Sequence, residues 1–141
     1  MGSRWTFRGW DAVGDKGWVY GDLVHNQKVT VDGLEPRVMV GGYEVVPESV
    51  GLCSTCKDKK GNLIFEGDIV ECVSWNEYFT NPATGEIMQQ FRRKMYVDFR
   101  NGGFKMVEPM PDPMKDNEWD IICNGDVVVI GNMFQNSGVI R

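Results

Sequence analysis

The chain has 141 residues, of which 42% are hydrophobic and 25% are charged, and this composition is ordinary for a folded globular protein and argues against disorder. Its formal net charge of −5 argues against general attraction to nucleic acid or to an anionic membrane. The sequence contains neither an apolar run of the roughly 20 residues that span a membrane nor an N-terminal signal core, so it predicts a cytoplasmic protein without membrane contact.

Short runs with a period of two, punctuated by glycine, predict strands in the first part of the chain. Such runs lie at residues 18–23, 28–31 and 37–40, and Pro47 closes this part. We therefore expect an N-terminal β region over residues 1–50.

Residues 51–141 continue the same rhythm of short strands and turns. A turn over residues 58–62 precedes Leu63 and Phe65, and residues 69–79 form the longest strand candidate. The odd positions of that strand are apolar, namely Ile69, Val73, Trp75 and Phe79. Strands of this length and spacing predict a mainly β protein whose C-terminal region is an SH3-like β roll or barrel.

Residues 87–100 allow two interpretations. Ile87, Phe91 and Met95 lie four residues apart, as in a helix, whereas apolar residues at odd positions through Val97 and Phe99 match a strand. The unbroken period of two favours the strand.

The C-terminal residues predict a loop followed by a hairpin. Residues 108–118 contain three prolines and several acids, which are typical of an exposed loop. Residues 119–123 and 127–130 flank Asn124-Gly125, the strongest short hairpin signal, so we expect these two segments to pair.

Five segments together carry a resemblance to known proteins. They are Trp18-Val19-Tyr20-Gly21-Asp22-Leu23, Tyr43-Glu44-Val45-Val46-Pro47-Glu48-Ser49-Val50-Gly51, Lys57-Asp58-Lys59-Lys60-Gly61, Phe65-Glu66-Gly67-Asp68-Ile69-Val70 and Val129-Ile130-Gly131-Asn132. The chain resembles the YopX family of small phage and prophage proteins, from about residue 7 to the end. The resemblance implies an SH3-type C-terminal roll and a phage or prophage origin, and it supplies no catalytic residues.

Cys53 and Cys56 form a C-x-x-C pair that has three possible roles: buried thiols, zinc ligands or a redox pair. A zinc site needs four ligands, and Cys72 and Cys123 lie apart in apolar strand patterns. A redox pair normally begins a helix, whereas residues 57–61 predict a turn. The YopX resemblance places both cysteines where an aromatic residue and Leu are usual. We expect buried thiols, no structural disulfide, no metal and no cofactor.

Two further positions are candidates for catalysis. His25, the single histidine, stands beside Asn26-Gln27 and is predicted to be an exposed turn residue. Glu66 and Asp68 flank Gly67, and paired carboxylates can perform acid–base chemistry. Asp68 at such a corner can instead accept hydrogen bonds from backbone N–H groups, so we expect a structural role.

The strand interpretation of residues 87–100 places Arg92, Lys94, Tyr96 and Arg100 on one face. An aromatic ring between basic groups can stack a base while the charges hold phosphates, so these four residues are the candidate nucleic-acid-binding site. The competing interpretation is a solvated strand face whose charges the acidic residues of 108–120 neutralise.

These observations predict a protein that is not an enzyme. The sequence has neither a catalytic constellation nor a phosphate-binding glycine motif. We expect a non-catalytic binding module with a protein or nucleic-acid partner. The alternative is a structural or assembly protein that forms a homo-oligomer by pairing exposed strands.

Overall fold

The computed structural model of the chain describes residues 6–112, 114, 116–121, 127–136 and 138, apart from the side chains of 73–80 and 87–92. The described chain is mainly β and its sheets are antiparallel. In chain order the strands are β1 (Phe7–Trp10), β2 (Trp18–Gly21), β3 (Leu23–Thr30), β4 (Gly33–Val40), β5 (Tyr43–Glu44), β6 (Gly51–Lys57), β7 (Leu63–Phe65), β8 (Asp68–Thr80), β9 (Ile87–Arg100), β10 (Gly103–Glu108), β11 (Asn117–Asp120) and β12 (Val127–Asn132), followed by the helix α1 (Met133–Asn136).

The first sheet has the order β2-β1-β6-β7 and joins the two parts of the chain that the sequence separates at residue 50. Phe7 and Arg8 of β1 pair with Leu52 and Gly51 of β6. The backbone ladder therefore crosses the predicted boundary. The division into residues 1–50 and 51–141 stays a prediction.

The β3 and β4 strands form a long two-stranded ribbon. They pair over their whole length, from Leu23 opposite Val40 at the base to Thr30 opposite Gly33 at the tip. The third strand, β5, pairs only with Met39 and Val40. Along most of the ribbon, therefore, β3 and β4 pair only with each other among the described strands. We call residues 23–40 the arm.

The third sheet has five strands in the order β11-β10-β9-β8-β12. Alternate residues of its strands pack with Ile64 of β7, from the first sheet, to form the main core. This core contains Ile64, Val70, Cys72, Met95, Val97, Met106 and Val127. A smaller core of Val19, Val40 and Val45 lies between the first sheet and the base of the arm. The described sheets are open, and the predicted closure into a barrel is not found among them; the likeness to an SH3-type roll stays a prediction.

The strand interpretation of residues 87–100 is confirmed, because they form β9. The apolar face predicted for residues 69–79 is incomplete. Ile69, at an odd position, is buried, but Val70 and Cys72, at even positions, are buried too. Both faces of β8 are therefore covered where the strand begins. The residues from Val73 onward have side chains outside the described set.

The predicted C-terminal hairpin is wrong. β11 pairs with β10, whereas β12 pairs with β8, so the two segments lie at opposite edges of the five-stranded sheet. The local Asn-Gly signal favours a turn but cannot exclude longer-range partners for the flanking strands. His25 is exposed as predicted, but it lies within β3 and not in a turn.

Candidate functional site

A buried ion pair joins the first sheet to the five-stranded sheet. Arg8 of β1 places Nη2 2.6 Å from Oδ1 of Asp68, the first residue of β8, and their side chains are 9% and 2% exposed. Asp68 follows a corner made possible by Gly67, which has a φ of +92°. Its other oxygen accepts a 2.8 Å hydrogen bond from the Phe65 N–H, so the predicted turn-capping role of Asp68 is confirmed.

Two aromatic rings enclose the guanidinium of Arg8. Its Cζ lies 4.4 Å from the ring centroid of Trp18 and 4.9 Å from that of Phe65. Nε of Arg8 and Oδ1 of Asp68 are buried without an aligned hydrogen bond, so the pair is held by charge and by the rings. Burial raises the pKa of Asp68, and the positive charge of Arg8 acts against that shift.

A cleft of about 570 Å³ lies over this pair. Tyr20 and Leu63 at its rim are 54% and 44% exposed, and Phe65 contributes a buried ring to its wall. Lys57 lines the cleft after an irregular stretch of β6 that begins at Cys53, a type of bulge that redirects side chains. The described lining residues are Thr6, Arg8, Tyr20, Lys57, Gly61, Asn62, Leu63, Phe65, Asp68 and Val129.

The predicted turn over residues 58–62 is present, and Gly61 and Asn62 of this turn line one side of the cleft. Asp58 holds the turn in place. Asp58 Oδ1 accepts hydrogen bonds from the N–H groups of Lys60 and Asn62, and Oδ2 accepts one of 2.9 Å from Val129 of β12. Burial alone would raise the pKa of Asp58, but these hydrogen bonds outweigh it and lower the pKa below its usual value. The turn is thereby fixed against the five-stranded sheet.

The structure places the predicted nucleic-acid residues on β9 as follows. Lys94 is exposed and lies opposite Glu71 of β8, while Tyr96 is half-buried. The Tyr96 hydroxyl accepts a 3.1 Å hydrogen bond from Nη2 of Arg100, so these two side chains do meet. Arg92 pairs through its backbone with Asn76, and its side chain lies outside the described set.

Acidic side chains neutralise the charge of Arg100. Its guanidinium lies 2.8 Å from Oε1 of Glu118 and 2.9 Å from Oδ2 of Asp98. The hydrogen bond to Glu118, followed by that to Asp98, raises the pKa of Arg100. The face is therefore a mixture of both charges, and binding of nucleic acid through Arg92, Lys94, Tyr96 and Arg100 stays a prediction.

The two cysteines of the C-x-x-C pair differ in their bonding. Cys53 is a buried thiol at 3% exposure, as expected. Cys56 is also buried, but it is disulfide-bonded, so the expectation of no disulfide is wrong. Among the described residues, no three His, Cys, Asp or Glu side chains lie close enough together to bind a metal.

Sequence reasoning missed the cleft and Arg8. The available signal was an arginine inside a short apolar strand pattern, Phe7 to Trp10, which requires a partner if it is buried. That partner, Asp68, lies 60 residues away, and only the fold brings the two together.

Taken together, the sheets and the cleft define a small, mainly β protein with an aromatic-lined cleft over a buried ion pair and a two-stranded arm beside it. A match to the family described as YopX protein covers residues 6–141, so the chain belongs to the YopX family. The resemblance deduced from the sequence is thereby confirmed. No curated protein matches the chain. Within the described residues, no helix is long and apolar enough to cross a membrane.

Proposed function

We propose that this protein is a non-catalytic binding module that holds a peptide segment of a protein partner in the cleft. The observation that carries the proposal is the composition of the rim, where exposed Tyr20 and Leu63 stand beside Lys57. Recognition clefts commonly combine apolar walls with a few polar groups that fix orientation.

The charges of the cleft indicate the chemistry of the partner. Arg8 and Asp68 neutralise each other in the floor, and their polar atoms are buried. Lys57 is exposed and, among the described lining residues, is the charged side chain without an ion pair. A segment with an apolar side chain next to a carboxylate would place the first against Tyr20 and Leu63 and the second near Lys57.

A protein partner suits the surface better than nucleic acid does. The net charge is −5, and one of the candidate nucleic-acid-binding residues of β9, Arg100, is paired with Asp98 and Glu118. Nucleic-acid binding draws most of its affinity from unpaired cations against phosphates. The phage or prophage origin and the cytoplasmic location remain part of the proposal and rest on the family resemblance and the sequence.

The proposal can be tested by selecting random 12-residue peptides displayed on phage against the immobilised protein. We expect enriched peptides to combine an apolar residue with Asp or Glu. Their affinity should fall by at least tenfold for Tyr20→Ser and for Lys57→Glu, as measured by fluorescence anisotropy of labelled peptide.

Lys60→Glu provides a matched control, because it makes the same change of charge three residues away, in an exposed residue outside the cleft. Binding to this variant should be unchanged. Peptides that bind wild type, Tyr20→Ser and Lys57→Glu equally would refute the cleft as the binding site. In parallel, labelled single-stranded DNA and RNA retained by wild type but not by Arg92→Glu with Lys94→Glu would favour nucleic acid instead.

A second candidate function is assembly through exposed strands. One observation favours it: β3 is an outer strand of its sheet, and the described residues place no strand beside it. Such an edge offers unpaired backbone groups to another chain. This role does not depend on the cleft, and a protein can have both.

A further inference from the structure

The arm has two chemically different faces. Opposite residues of paired strands share a face, so the pairs Val24–Met39, Asn26–Arg37 and Lys28–Glu35 lie on one side. The pairs Leu23–Val40, His25–Val38, Gln27–Pro36 and Val29–Leu34 lie on the other. We call the first the polar face and the second the apolar face.

Side-chain contacts stabilise the polar face within the chain. Nε of Arg37 donates a 2.7 Å hydrogen bond to Oδ1 of Asn26. Nζ of Lys28 lies 3.0 Å from a carboxylate oxygen of Glu44 in β5. The polar groups of Asn26, Arg37 and Lys28 therefore already have partners in the same molecule.

The apolar face is covered only at its base. There, Leu23 and Val38 pack against the small core around Val40. Farther out, Val29 is 83% exposed and Leu34 is 64% exposed, and Val31 in the turn at the tip is fully exposed. A two-stranded ribbon is only marginally stable in water unless one of its faces is packed against another surface. The exposed part of the apolar face is therefore a candidate contact surface for a partner.

We propose that the apolar face of the arm packs against the same face of a second copy of this chain, forming a two-fold symmetric dimer; this inference rests on the assembly role given above as the second candidate. In such a dimer each face meets itself. Between residues 23 and 40 the apolar face has no Asp, Glu, Lys or Arg, so two copies can meet without opposing like charges. The charged residues Lys28, Glu35 and Arg37 stay on the outer sides.

Face-to-face packing is favoured over pairing along either strand edge of the arm, that of β3 or that of β4. Pro36 has no N–H to donate, and proline in a strand is restricted to an edge whose N–H side faces solvent. Edge pairing would also leave Val29 and Leu34 in water, whereas packing of the faces removes them from it. The resulting contact extends the small core at Val40 outward between the two molecules.

The test is sedimentation equilibrium over a concentration series of the full-length protein, comparing wild type with Val29→Lys and Val24→Lys. Both valines lie on β3 and are exposed, but Val29 is on the apolar face and Val24, at 47% exposure, is on the polar face. Lysine brings the net charge closer to zero, so a weaker dimer cannot be attributed to added repulsion between acidic chains.

We expect wild type to reach the mass of two chains. Val29→Lys should weaken the dimer by roughly a hundredfold, because each interface would bury two unpaired cations. Val24→Lys should change the dissociation constant by no more than about threefold. Equal far-UV circular dichroism spectra and a cooperative thermal transition in each variant confirm that both are folded.

Three results would overturn the inference in different ways. A wild-type monomer throughout the series would remove both the dimer and the assembly role. This conclusion would hold even if the arm were found to bind a different protein. An oligomer that Val29→Lys leaves intact would remove this interface but keep the assembly role. Equal weakening by both variants would show that the polar face or the strand edge makes the contact.

Discussion

Breaking the buried ion pair between Arg8 and Asp68 should cost the protein a large part of its stability. The Arg8→Met variant keeps much of the apolar stem but leaves the carboxylate of Asp68, 2% exposed, without its cation. Removing one partner of a buried pair costs about 3–5 kcal/mol. Loss of the contacts between the guanidinium and the rings of Trp18 and Phe65 adds about 0.5–2 kcal/mol.

A double-mutant cycle tests whether this cost comes from the pair itself. Asp68→Asn keeps an oxygen that can accept the Phe65 N–H but leaves Arg8 as an unpaired buried cation. The variant with both changes has no buried charge at this point. Its cost should be smaller than the sum of the two single costs by on the order of 2 kcal/mol.

Urea unfolding followed by tryptophan fluorescence gives the required free energies. Lys28→Met is the control, because the Lys28–Glu44 pair is partly solvent-exposed, with side chains 34% and 22% exposed, and should contribute less than about 1 kcal/mol. Single costs below that of the control, or costs that add within about 0.5 kcal/mol, would show that the Arg8–Asp68 contact does not hold the sheets together.

Three more predictions follow from local contacts. Asp58→Asn should destabilise the protein by about 1–3 kcal/mol at pH 7 by disturbing the hydrogen bond from Val129. Since the folded-state pKa of Asp58 lies below its unfolded value, its contribution is present above about pH 4 and is lost as pH falls further, so unfolding curves of the variant should depend less on acid. Gly51→Ala should cost about 1–3 kcal/mol, because the new Cβ would collide with the backbone carbonyl of Glu66, and thermal melting should show it. Because Cys56 is disulfide-bonded, the unfolded, unreduced protein should show two reactive thiols among its four cysteines, and a count of four would contradict the disulfide.

The strands that the sequence predicts correctly are those whose burial pattern repeats locally. β9 is an example, because Met95 and Val97 are buried while Lys94 is exposed, and this alternation is readable without any partner strand. β3 was predicted only in part, at residues 28–31, because His25, Asn26 and Gln27 lack a strand-like pattern. They form a strand since they pair with β4, which is a property of the arm as a whole.

Partners that are distant in sequence could not be predicted in this way. The residues of β12 look like the second strand of a hairpin, yet Val129 pairs with Val70, 59 residues earlier. The same limit applies to Arg100, whose charge is neutralised by Glu118 in β11, after the chain has passed through β10. The sequence shows that acids and bases are both present, but only the register of three strands shows which of them meet.

The charge pattern of residues 92–100 predicts a binding surface there, whereas the fold leaves its exposed apolar surface elsewhere, at the arm and the cleft. Buried or satisfied charges such as Arg8 and Arg100 contribute to stability, and their partners are inside the molecule. The exposed apolar side chains of the arm differ: water around Val29 and Leu34 is released only when another surface covers them. Tyr20 at the cleft packs its ring against Phe65 but is still 54% exposed. Recognition by this protein should therefore depend weakly on salt at the arm, and moderately at the cleft, where Lys57 supplies one charge. A steep salt dependence of either interaction would instead favour binding through the basic residues of β9.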